Sequence, residues 1–235
     1  MAATNQKSSN KWIFWMIGII ALGVVLIVVL DNQFSQGSEE EESAAADISY
    51  ENQPYLGEED APVNIIEFGD YKCPACKNFQ DAAFPQIKQE FVDTGKAKFY
   101  FINFPFINVD SDRSAKFAEV VYRELGNDIF WKFHETLYEN QPPAEDEHKD
   151  IYKKDFLKET LQSVVEDESK VEQVMTAFEE TSDDIISTDK EIAQSLNVSV
   201  TPTIAVNGKV FEGETFEDLK NRVEEASKEN SQEEE

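Results

Sequence analysis

Glu67-Phe68-Gly69-Asp70-Tyr71-Lys72-Cys73-Pro74-Ala75-Cys76 puts two cysteines, two residues apart, where a strand hands over to a helix. Before it, Val63-Asn64-Ile65-Ile66 reads as a short apolar strand bounded by Pro62. After it, Lys77 to Phe91 reads as a helix, which Pro85 should kink. The first sulfur then lies near helix amides, whose partial positive charge favours a thiolate. A thiolate is the species that attacks disulfides. The chain has two cysteines in all. A structural disulfide between them would close almost no loop, so an exposed motif holding both argues for redox work. Zinc normally takes four ligands, and beyond these cysteines only His134 and His148 could contribute. His134 reads as a core or rim residue on an aromatic helix, and His148 as solvated.

The 235 residues suggest one domain, with an insertion and appendages. There are 48 acidic residues against 21 basic ones, for a net charge of −27. Such a surface repels nucleic acid, and that class of partner is set aside. Residues 1–11 are polar, with Lys7 and Lys11. Residues 12–30 are apolar and uncharged, long enough to cross roughly 30 Å of hydrocarbon as a helix. Trp12 and Trp15 suit an interfacial belt. No small-residue cleavage site follows closely, so this is predicted to be an uncleaved signal-anchor. The lysines before it place the amino terminus in the cytoplasm and the rest outside the cell. Residues 31–47 form an acidic linker, 48–226 the folded domain and 227–235 a charged tail.

Within the domain, Ala97 to Phe104 reads as a second strand. From about 111 to 196 the pattern is helical. The first of these helices is capped by Ser111 or Asp112 and stopped by Gly126. Helices are expected over 128–140, 155–165, 168–178 and 183–196. Val200 to Val206 reads as a strand, Asn207-Gly208 as a hairpin turn and Lys209 to Gly213 as its partner. Thr215 to Ala226 is an amphipathic helix. The reading is one α/β domain interrupted by a helical insertion.

Glu67-Phe68, Cys73-Pro74-Ala75-Cys76 and Val200-Thr201-Pro202-Thr203 together resemble the thioredoxin fold. The helical block carrying Phe130-Trp131-Lys132-Phe133-His134 resembles the DsbA family, in particular the membrane-anchored Gram-positive oxidases of the BdbD type. The match spans roughly 52–226. It implies a thiol:disulfide oxidoreductase that introduces disulfides into exported proteins, with no cofactor beyond its own Cys73–Cys76 disulfide. A quinone reductase of the DsbB type, integral to the membrane, would restore that disulfide. Cys73 is the candidate nucleophile and Cys76 the resolving thiol. The resemblance makes Pro202 a cis proline facing the cysteines, with Thr201 presenting its backbone to an extended substrate. It places the fold's buried acid at Glu67, which could take the proton from Cys76. Pro74-Ala75 departs from the Pro-His of strongly oxidising relatives, and a milder oxidant is expected.

Asp189 shares a helical stripe with Ile185, Ile192 and Leu196, so it should face inward and need a partner. That partner is a lysine or arginine, or else a bound calcium to which Glu119 and the Asn108, Asp110, Asp112 spacing could contribute. Two other functions remain open on sequence alone. One is a reductase or isomerase of extracytoplasmic disulfides, as in cytochrome maturation. The other is a non-catalytic binding or chaperone module.

Overall fold

A computed structural model describes Ala46 and residues 48–233. The terminus expected to be cytoplasmic, the anchor expected at 12–30, nearly all of the acidic linker and the last two residues of the tail lie outside the described residues. Among the described residues no helix is long and apolar enough to cross a membrane.

Five strands form one sheet in the order β1-β3-β2-β4-β5. They are β1 (Tyr55–Leu56), β2 (Val63–Gly69), β3 (Ala97–Asn103), β4 (Thr203–Val206) and β5 (Lys209–Val210). β2 and β3 are parallel, and the other neighbours are antiparallel. Between β2 and β3 run α1 (Pro74–Ala82), the one-turn α2 (Phe84–Ile87) and a π-turn over Lys88–Val92. Between β3 and β4 lie α3 (Val109–Leu125), α4 (Asn127–Glu139), α5 (Lys154–Val164), α6 (Glu168–Glu180) and α7 (Ser187–Ser195). α8 (Phe216–Glu233) follows β5.

Strand alternation sorts the core onto two faces. Val63, Ile65, Phe99 and Phe101 join the larger cluster with the inserted helices, whereas Ile66, Phe68, Tyr100 and Ile102 pack with Ile192 and Val198. Glu67 therefore shares the parity of Ile65 and points toward the cysteine side. At the end of β2, Gly69 leaves no room for a Cβ, which would come within 2.3 Å of the Phe101 ring. Glycine lets β2 close on β3 there.

Several boundaries differ from the sequence expectation. The helix after the cysteines starts at Pro74, not Lys77, because proline suits the first helical position. It breaks at Ala83, just before the expected kink at Pro85. α3 starts two residues before Ser111, with Asn108 as its cap. Asn108 and Ser111 form a reciprocal capping box, in which the Asn108 N–H donates to Ser111 Oγ at 3.2 Å. β4 begins only at Thr203, since Pro202 has no N–H to give a ladder. Asn207 and Gly208 make the expected turn, both with positive φ (47° and 74°). β1 was not anticipated, as two residues carry no periodic signal. α8 continues to Glu233, through most of the segment read as a tail.

Candidate active site

Cys73 is the N-cap of α1, and its Sγ accepts from the Cys76 N–H at 3.4 Å. The Cys73 thiol is brought well below its ordinary value, to about 6. The first cause is the Cys76 thiol, which donates to the Cys73 sulfur. Thr201 and the Cys76 and Ala75 amides add to it, and burial opposes. The motif is less open than an exposed C-x-x-C, since Cys73 is 6% accessible and Cys76 is fully enclosed. Cys76 shifts the other way, because its thiol donates to Cys73 and burial disfavours its charge. Both cysteines are free thiols in this structure.

The Thr201–Pro202 peptide bond is cis. The Thr201 carbonyl lies 3.4 Å from Cys73 Sγ, and pairing of Glu67 with Ile204 and of Phe68 with Thr203 brings this turn against the end of β2. Glu67 is fully buried, and Oε2 accepts from Gln80 Nε2 at 3.2 Å. Burial first, then the Cys73 charge, push its carboxyl well above the usual range, against the Gln80 hydrogen bond. The five expected active-site residues thus converge.

Neighbours that the sequence did not flag hold them there. The Gln141 amide donates to the carbonyls of Tyr71 and Cys73 at 2.9 and 3.0 Å. Lys72 is buried against Asp110 at 3.2 Å and donates to the Lys149 carbonyl at 2.8 Å. Asp70 accepts from the backbone N–H groups of Lys72, Phe106 and Ile107. His134 is indeed core, but it is also polar-bonded: Nδ1 to Tyr71 Oη at 3.1 Å and Nε2 to Gln80 at 2.7 Å. Cys73, Cys76 and Gln80 share one helical face, a spacing that could have marked Gln80.

Asp189 and Glu119 meet in a separate cluster. Asp189 accepts from Gln53 Nε2, Asn103 N and Asn103 Nδ2, all at 2.9 Å, and Asn103 Nδ2 also reaches Glu119 at 2.9 Å. The expected lysine or arginine partner is a correction: amides take that place, and Arg123 acts only through space, without a salt bridge to either carboxylate among the described residues. The Asn108, Asp110, Asp112 contribution is a second correction. Asn108 caps α3, Asp110 pairs with Lys72, and Asp112 pairs with Lys190 at 2.8 Å. Among the described residues no three histidine, cysteine or acidic side chains gather as a metal set. Yet Gln53 Oε1 and Asn103 Oδ1 are buried acceptors without a partner, beside two carboxylates. Carboxylates and amide oxygens are the ligand types that a hard cation such as calcium takes.

A sheet carrying a cysteine pair at a helix mouth, opposite a cis proline and above a buried acid, defines the thioredoxin-like class. The chain belongs to that family, since the family profile described as Thioredoxin matches residues 49–225. It is 36% identical over 203 residues to disulfide bond formation protein D of Bacillus subtilis, covering 83% of this chain and 84% of that one. It is 34% identical over 219 residues to the probable disulfide bond formation protein D of Bacillus cereus, covering 92% and 96%. The crystal structure of oxidised BdbD from Bacillus subtilis matches with a TM-score of 0.68 at 35% identity, over 78% of this chain and 97% of that one. Chlamydia trachomatis DsbA, at 21% identity and a TM-score of 0.61, shares the fold. The protein is accordingly a DsbA-like thiol:disulfide oxidoreductase, similar to the BdbD type.

Proposed function

We propose that this protein introduces disulfides into exported proteins through Cys73 and Cys76, outside the cell and tethered by residues 12–30. The carrying observation is Cys73 at the opening of α1 with its thiol lowered to about 6. Stabilising that thiolate stabilises the reduced enzyme, and so makes the Cys73–Cys76 disulfide oxidising.

A substrate thiolate attacks Cys73 of the oxidised pair, and Cys76 leaves as the reduced partner. A second substrate thiolate attacks the substrate sulfur of the mixed disulfide and releases the Cys73 thiolate. Two electrons pass from substrate to enzyme. Thr201 lies beside the sulfur, where its backbone can meet an extended chain, and Pro202 removes a competing donor. For regeneration, the Cys73 thiolate attacks the disulfide of a DsbB-type membrane partner. Cys76 then loses its proton to Glu67 and attacks Cys73, which reforms the pair and expels the partner thiolate. The anchor holds enzyme and partner in one membrane and raises their effective concentration.

Calcium is proposed as a structural ion, held by Asp189, Glu119, Gln53 and Asn103. It would supply the positive charge that this cluster lacks, and no redox step passes through it.

The test is oxidative refolding of a reduced multi-cysteine substrate. Cys73→Ser should fall to the uncatalysed rate. Retained activity would identify a binding or chaperone module instead.

A further inference from the structure

One atom of Gln80 serves two neighbours. The terminal amide position assigned to Nε2 lies 3.2 Å from Glu67 Oε2 and 2.7 Å from His134 Nε2. A nitrogen there has two hydrogens and donates to both. An oxygen there accepts from both. The neighbours must therefore agree: both are acceptors or both are donors. His134 makes a further bond to Tyr71 through Nδ1. A neutral ring carries one hydrogen, so its two bonds take opposite senses.

We infer that Gln80 ties the protonation state of Glu67 to the tautomer of His134, and so acts as a positioning residue for the proton that leaves Cys76. This rests on the proposed roles of Glu67 and Cys76. In the first state Glu67 is a carboxylate, Gln80 donates to it and to His134 Nε2, and His134 carries its hydrogen on Nδ1, facing Tyr71. In the second, Glu67 is a carboxylic acid with its hydrogen on Oε2, because Oε1 is buried with no partner to receive one, and it donates to the Gln80 oxygen. His134 Nε2–H donates to the same oxygen, and the Tyr71 hydroxyl donates to Nδ1. Passage from first to second takes one proton, from the Cys76 thiol, and moves no electrons. The imidazole stays neutral, giving a hydrogen up at Nδ1 and gaining one at Nε2 by exchange with water. A half-turn about the last side-chain bond of Gln80 exchanges its oxygen and nitrogen.

Two features permit this. Burial holds His134 neutral, lowering its pKa to about 3. Gln80 borders a cavity of about 270 Å³, which brings solvent to the amide that bonds His134. The ionisable groups around the chain are Cys73, Cys76, Tyr71, Tyr138, Tyr152, Asp70, Glu119 and Asp189 on the enclosed side, and Asp81, Lys88, Glu135 and Glu139 at the cavity.

The experiment is NMR of the full-length reduced protein, with ¹⁵N-histidine and ¹³C-glutamate labels, through a pH titration. Only two histidines contribute, and exposed His148 serves as the internal reference. The expected pairing is carboxylate with Nδ1–H and acid with Nε2–H. Gln80→Met, which has no amide, should uncouple the two signals and raise the Glu67 midpoint by about one pH unit, the worth of one charge-assisted hydrogen bond. The opposite pairing at any pH, or a tautomer that ignores the Glu67 midpoint, overturns the inference. The wild-type spectra decide even where the variant does not fold. Failure of the functional reading shows elsewhere: Glu67→Gln would leave the pH profile of disulfide formation unchanged.

Discussion

Two pockets of buried carboxyl groups differ in what surrounds them. Glu67 stands alone, among two thiols and the amide donor of Gln80. Glu119 and Asp189 stand together, with the amide groups of Gln53 and Asn103, and two of the oxygens there have no partner. Burial raises the pKa at all three, and at Glu119 the neighbouring Asp189 charge adds to it. A lone acid beside a thiol can answer by gaining or losing a proton. A pair of acids with spare acceptors is relieved by a cation. The chemistry follows from the neighbours, not from burial.

A buried carboxylate outside both pockets sets the scale. Asp110 has its own cation, Lys72, and neither side chain reaches solvent to more than 1%. Lys72→Met strands that charge and should cost about 3–5 kcal/mol. For a domain of this size the melting temperature should fall by roughly 6–20 °C. A loss under about 2 °C would mean that Asp110 is held by the Ile151 and Tyr152 amides alone. An unpaired carboxylate would then be tolerable in this fold, and the need for a cation at Asp189 would weaken.

The next largest effect separates the two regions by activity. Glu67→Gln removes the proton acceptor and should slow closure of the Cys73–Cys76 disulfide by about 10²-fold. Asp189→Asn should leave that rate within about twofold. The rate of oxidation of the reduced protein by a small disulfide, well below either melting temperature, reads both. Equal losses in the two variants would erase the distinction.

The calcium ion proposed at Asp189 would divide the regions in the other direction. With calcium at about one hundred times its dissociation constant the native state gains about 2.7 kcal/mol. That is a rise of about 5–10 °C in melting temperature over the chelated protein. Glu67→Gln should keep this response and Asp189→Asn should lose it. A wild-type melt indifferent to calcium and chelator removes the ion from the account.

The active-site pocket was the more legible of the two. Cys73 and Cys76 carry their chemistry in residue type and spacing, and their strand-to-helix setting follows from a change in hydrophobic period, whereas the cis bond at Pro202 was expected only from the resemblance. Glu67 needed the resemblance, since one acid at a strand end looks like any edge carboxylate. Asp189 betrayed itself by lying on an apolar stripe, but its amide partners did not. Gln53 and Asn103 are remote in sequence and of a type common on surfaces, and only the folded chain makes them neighbours. His134 was legible as core, but not as one link in a hydrogen-bonded chain, because an aromatic stripe hides a polar atom. The buried Lys72–Asp110 pair was missed because Asp110 was read with Asn108 and Asp112 as a calcium contributor, and nothing in the sequence shows that the loop at 146–149 closes over Lys72.

The smallest effect is a slope in pH, and it tests the active-site pocket through stability rather than rate. Cys73 is lowered to about 6, whereas an unfolded thiol titrates near 8.5. A depressed acid contributes stability above its unfolded value and loses it as pH falls through the folded one. Reduced protein should therefore become more stable, relative to the oxidised protein, as pH rises from about 6 to about 8.5. The limit is about 1.4 kcal/mol per pH unit for a single proton, and the stability of Cys73→Ala should lack the part of the reduced protein's rise that Cys73 supplies. Glu67 works against the slope if it titrates in the same window: its folded pKa is raised, so its contribution falls as pH rises. A difference curve that is flat in wild type and rises in Glu67→Gln would mean that the two groups cancel. One that is flat in both would mean that the α1 opening does not hold a thiolate, and the oxidising direction would lose its physical cause.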